Sequence, residues 1–154
     1  MRFTKGLLAV GIVLSLCTPA RAAGGIDKSV ILDDQALMQL QQRAEQANPR
    51  EQCFLYTELV SAMTEIAGKQ IMDGDTDRAS VTLKKVADYA NRIHMNLARD
   101  TKRLKNAEML MHHTTYKLNE YLHQASTEDK PTLQAALKQL SQVQSELLTQ
   151  VFNH

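Results

Sequence analysis

An all-α fold, antiparallel helical hairpins or a bundle around one long central helix at about residues 76–125, is predicted by three observations. The stretch from Asp75 to Lys130 contains no glycine and no proline. Within it, Leu83, Ala90, Leu97, Leu104, Met111, Leu118 and Ala125 recur every seventh residue, and Val86, Ile93, Asp100, Ala107, Thr114 and Tyr121 follow three positions later. That is a helical stripe of about 3.5-residue period, as in a coiled coil, held in phase throughout. Stop and start signals bracket the run, Asp73-Gly74-Asp75 before it and Ser126 to Pro131 after it. Unbroken, it makes a rod of roughly 75 Å at about 1.5 Å per residue. Such a rod cannot bury its own stripe, so other helices must lie along it.

In chain order, residues 1–22 read as a signal peptide. Arg2 and Lys5 supply a positive start, Gly6 to Cys17 an apolar run, and Ala20-Arg21-Ala22 a cleavage site, with processing expected before Ala23. The run falls short of the roughly 20 residues of a membrane span, so no transmembrane segment is expected after cleavage. Leu16 is too large for the small residue that precedes a lipid-modified cysteine, which leaves Cys17 in the discarded segment. The expected location is periplasmic or secreted.

Residues 23–32 contain Gly24-Gly25 and no period, and read as a flexible arm; residues 33–154 form a single helical domain. Asp33 and Asp34 can cap a short, weakly held helix over Gln35 to Ala47, with Leu37, Leu40 and Ala44 on its narrow apolar face. Asn48-Pro49-Arg50-Glu51 opens the next helix, Asn48 as cap, Pro49 in the first turn and Glu51 completing a capping box. Tyr56, Leu59, Met63 and Ile66 mark its apolar face. Gly74 is a left-handed stop, and the tight Asp73-Gly74-Asp75 turn demands an antiparallel hairpin.

In that hairpin, Ala67, Gly74-Asp75, Ala79 and Leu83 resemble the small-residue, Gly-Asp turn, small-residue and large-residue positions of a tetratricopeptide repeat. The likeness implies a helix pair that needs neighbouring helices to bury its faces. It spans about one repeat, Gln70 stands where that family has an aromatic, and no second copy follows. As a whole the chain resembles small exported bacterial helical proteins.

Ser126 to Pro131 ends the long helix, with Thr127 or Asp129 as the next cap and Pro131 in the first turn. Leu133, Leu137, Leu140, Val143, Leu147 and Val151 then line one face of the last helix. Asp100 interrupts the central stripe. A break there, capped with help from Thr101, gives a compact four- or five-helix bundle; no break gives two hairpins sharing one rod. The lack of glycine and proline and the preserved phase favour the rod. Val81, Ala87, Met95, Leu110 and Leu122 widen its stripe beyond what one neighbour covers, so an unbroken rod is expected to self-associate, and a broken one is not.

Removing Arg2, Lys5 and Arg21 from the 18 basic residues leaves 15 against 17 acidic ones. No single-sign field draws nucleic acid or anionic lipid, and tryptophan is absent. Cys53, the remaining cysteine of the mature chain, cannot close an internal disulfide; a packed thiol is favoured over an intermolecular disulfide or a catalytic thiol. Met109, His112 and His113, close to Glu108 and Met111, carry the sulfur and imidazole ligands that suit copper. Successive helical side chains diverge by about 100°, so packed methionines and surface histidines are the competing reading. No haem attachment motif, catalytic triad order or phosphate-binding loop occurs, and no cofactor is expected. Lys84, Lys85, Arg92, Arg99, Lys102, Arg103 and Lys105 make the middle locally basic, either a solvated face or a site for an anionic partner. The functional expectation is a non-enzymatic protein that works through a protein partner or as a homo-oligomer, with copper handling as the alternative.

Overall fold

The computed structural model describes residues 33–95, 97 and 101–153. The expected signal peptide, the arm and Asp100 lie outside them. The described residues form five helices and no strand: α1 (Asp34–Gln46), α2 (Pro49–Met72), α3 (Thr76–Met95), α4 (Leu104–Gln124) and α5 (Lys130–Phe152).

Helix ends follow local chemistry, with informative exceptions. Asp33 caps α1 by accepting from the Ala36 amide at 2.7 Å, and Asn48 caps α2 by accepting from the Arg50 amide at 2.9 Å. Glu51 does not complete the expected capping box, because its carboxylate accepts from Lys102 Nζ at 3.2 Å instead. At the other end of α2, Gly74 takes φ +76°. Its amide bonds Ile71 O and the Asp75 amide bonds Gln70 O, so the last carbonyls of α2 are satisfied as the chain reverses. Asp129 stands at the cap position of α5 without capping it. Its carboxylate accepts from Ser126 Oγ at 2.7 Å, a bond within the turn that wins over the helix end.

The stripe is real but the rod is not. Leu83, Val86, Ala90, Ile93, Leu104, Ala107, Met111, Thr114, Leu118 and Ala125 are all buried, as the period predicts. Helicity nonetheless stops at Met95 and resumes at Leu104. At the restart Arg103 adopts φ 56°, a left-handed conformation that costs a residue other than glycine about 1–2 kcal/mol. Contacts with α2 offset that cost. The Lys102 amide donates to Arg50 O at 2.8 Å, and the Arg103 guanidinium lies 3.5 Å from the centroid of the Phe54 ring. Folding back also lets the stripes of α3 and α4 share one core, which a rod forbids.

The order of packing follows. Among the described residues, α2 neighbours α1, α3 and α4, and α5 neighbours α3 and α4, while α1 touches α2 alone. Consecutive helices are antiparallel, yet α2 and α4 run parallel: Arg50 and Phe54 meet Lys102 and Arg103 at one end, and Tyr121 reaches Glu65 toward the other. Likewise Ala87 meets Gln139 and His94 meets Glu146, so α3 and α5 are parallel. Two antiparallel hairpins are thus stacked side by side, with α1 laid across the outside of α2. Helix α2 is buried on most of its circumference. That is why it mixes Leu59, Val60 and Ala67 with buried Thr57 and Thr64 rather than showing one clean apolar face. Thr57 satisfies itself by donating to Cys53 O at 2.8 Å.

The left-handed residue yields a ranking. Arg103→Gly should leave stability within about 1 kcal/mol, because relief of the backbone offsets the lost stacking on Phe54. Arg103→Ala keeps the strain and loses the stacking, about 1 kcal/mol, and Arg103→Val adds a β-branch and should be the least stable. Thermal melts of the three variants check the order. A melt in which Ala exceeds Gly would show that the turn is not left-handed.

Candidate functional site

Because α1 rests only on α2, a groove opens on each side of it. Leu40 and Ala44 hold α1 down, and Gln52 Nε2 donates to Ala44 O at 3.2 Å. Toward α3 the groove measures about 390 Å³, and Leu37, Met63, Ile66 and Val81 give it an apolar lining. Asp34, Asp77, Arg78 and Lys85 add charges of both signs. Thr82 donates to Gln70 Oε1 at 2.8 Å within the same lining. Val81 keeps 55 % of its surface exposed, the part of the widened stripe that no helix covers.

Toward α4 the groove measures about 430 Å³ and has a different character. Ala47, Phe54 and Leu55 are its apolar part, with Arg43 of α1 and Arg103 as its guanidinium groups. Burial pushes the Glu58 carboxyl above the usual carboxylate range, and the charges of Arg103 and Arg43 only partly oppose this. Where α1 approaches the end of α3, Arg92 lies over the stacked rings of Tyr56 and Tyr89, 5.7 and 5.8 Å from their centroids.

On the opposite side of the bundle, His94 Nδ1 and Glu146 Oε2 lie 2.6 Å apart, tying α3 to α5 beside a groove of about 400 Å³. His112 lines a further groove of about 320 Å³ with Tyr116 and Leu137, and its Nδ1 lies 2.8 Å from Gln144 Nε2. Met109, His112 and His113 all occupy exposed positions on α4, and Met111 is fully buried in the core. Among the described residues, no three His, Cys, Asp or Glu side chains come together as a metal site. His112 thus meets the Gln144 amide rather than a second ligand.

Cys53 is fully buried, and burial pushes its thiol up to about 12. Tyr121 is raised as well, by burial first and then by donating to Glu65 Oε2 at 2.7 Å. Neither residue lines any of the four grooves above, nor do Glu58 and Tyr89, whose groups are also raised by burial. These shifts therefore report packing rather than a cluster prepared for proton transfer.

The Cys53 shift has a measurable consequence. The thiol titrates near 9.0 when unfolded and near 12 when folded, so below pH 9 both states hold the proton and its contribution to stability is complete. Between those values the unfolded chain loses a proton that the folded chain keeps, and stability falls by about 1.4 kcal/mol per pH unit. Urea midpoints at pH 8 and pH 10 should therefore drop for the native chain and drop less for Cys53→Ala. Equal drops would place the thiol in contact with water.

Sequence reasoning singled out Arg103 as one member of a basic run and did not find Arg43 or Phe54 as its companions. Arg43 carries no local signal on a glutamine-rich helix, and Phe54 reads as ordinary core. The chain matches no family model, no curated protein and no solved structure.

Proposed function

We propose that this is an exported, non-enzymatic helical module that works by holding a segment of another protein in the grooves beside α1. The observation that carries this reading is the placement of α1, which packs on α2 alone and leaves apolar lining exposed on both flanks. Leu37, Val81 and Leu55 are partly open to solvent while the core beneath them is closed. The charges around them can orient a partner without a large apolar patch. The stripes of α3 and α4 are each covered by α2 and α5 inside one chain, which removes the reason for self-association that an unbroken rod would supply. A protein partner is therefore preferred to a homo-oligomer.

Site-specific photo-cross-linking in intact cells tests the reading. A cross-linker at Val81 or Gln46 should give a discrete adduct, and one at Lys138, exposed on α5 away from both grooves, should not. The adduct should come from the periplasmic or secreted fraction, with the chain beginning at Ala23. An adduct of twice the chain mass would assign a homo-oligomer in place of a partner. Absence of any groove adduct would overturn the proposal.

A further inference from the structure

The basic residues crowded between Lys84 and Lys105 do not end up on one surface. Lys84 and Lys85 stand exposed on α3, Arg92 covers two tyrosine rings, and Lys102 is paired with Glu51. Arg103 alone of these lines the groove between α1 and α4, and Arg43 lines the same groove from α1. Its left-handed backbone accompanies a guanidinium laid flat on Phe54, so the charge is held in place rather than free to sweep through solvent.

Among the described residues, no carboxylate lies within ion-pair distance of Arg43 or Arg103. Both act on the Glu58 carboxyl, which burial raises and their charges lower in part, but Glu58 does not line the groove. Glu51, the acidic group in the lining, is engaged by Lys102. The groove thus presents two planar, multi-donor cations beside an apolar wall of Ala47 and Leu55, and among the described residues neither is in ion-pair contact with a carboxylate.

We propose that the α1–α4 groove docks an acidic segment of the protein partner, with a carboxylate between Arg43 and Arg103 and a neighbouring apolar side chain against Ala47 and Leu55. This rests on the interaction reading above and names its chemistry. A peptide carboxylate fits better than phosphate, lipid headgroups or nucleic acid for two reasons. Ala47, Phe54 and Leu55 give the lining an apolar part that a bare phosphate or a phosphodiester would leave unused, and Glu51 in the same lining repels a polyanion more than a single carboxylate.

The test uses residues 23–154 and a fluorescein-labelled peptide that carries one glutamate flanked by leucines in an otherwise neutral sequence, read by fluorescence anisotropy. A second peptide with glutamine for glutamate, inorganic phosphate, and phosphatidylglycerol vesicles are the competing probes. The acidic peptide should bind and weaken with added salt. Arg43→Gln and Arg103→Gly should each weaken it by about tenfold or more, and Lys84→Gln by less than about twofold. Arg103→Gly is chosen because glycine suits the left-handed position, and an unchanged circular dichroism spectrum shows that its loss of binding is not loss of fold. Equal binding of the glutamine peptide, preference for phosphate or vesicles, or indifference to both arginine variants would each overturn the proposal. If the acidic peptide fails to bind while cross-links at Val81 persist, this inference falls and the protein-partner reading stands. If those cross-links are missing too, both fall.

Discussion

Leu59→Ala is expected to lower the unfolding free energy by about 2–5 kcal/mol. Leu59 is fully buried on α2, the helix that touches α1, α3 and α4. With neighbours on so many sides, little of the structure can collapse into the space left by the lost methyl groups, which places the cost toward the upper part of that range. A domain of this size has only about 5–15 kcal/mol to lose, so the variant should melt at a clearly lower temperature or fail to accumulate. Leu148→Ala is the internal comparison, since Leu148 is 41 % exposed and should cost less than about 1 kcal/mol. Urea denaturation of the two variants checks the pair. A cost at Leu59 no larger than at Leu148 would remove α2 from the centre of the bundle.

The second large effect changes sign with its background. A Cβ built on Gly68 would lie inside the ring of Tyr121, against Cζ, Cε1 and Cε2. The ring cannot simply swing away without giving up the 2.7 Å bond from Tyr121 Oη to Glu65 Oε2. Gly68→Ala should therefore destabilise by about 1–3 kcal/mol, although alanine in a helix normally gains about 1 kcal/mol over glycine. In a Tyr121→Ala background the obstruction is gone, and the same substitution should stabilise by up to about 1 kcal/mol. The double-mutant cycle thus predicts a coupling of about 1–4 kcal/mol between residues on two different helices. Stabilisation by Gly68→Ala in both backgrounds would mean that α2 and α4 do not meet there.

What could be read from the chain, and what could not, divides along physical lines. The stripe positions needed only helical periodicity, and the Asp33, Asn48 and Gly74 signals needed only chemistry within a few residues, so all were legible. The break between α3 and α4 was legible only as the less favoured alternative, through Asp100 in the stripe. Its left-handed position holds Arg103 rather than glycine, and the compensation comes from Phe54 and Arg50, some fifty residues earlier. The same distance hid the site. A basic run was visible, but its dispersal over separate surfaces, and the arrival of Arg43 beside Arg103, are products of tertiary packing. Glu51 shows the converse. Its local role as a capping-box partner was reasonable, and a distant lysine took the carboxylate instead. Gly68 was also silent, because nothing local distinguishes a glycine needed for close helix approach from one merely tolerated.

The stacking of the two hairpins underlies both grooves, and small-angle X-ray scattering of the mature chain tests it most directly. A monomer with a radius of gyration near the roughly 14 Å of a compact domain is the result the account predicts. A value above about 20 Å, as a rod of roughly 75 Å would give, would restore the unbroken helix and contradict it.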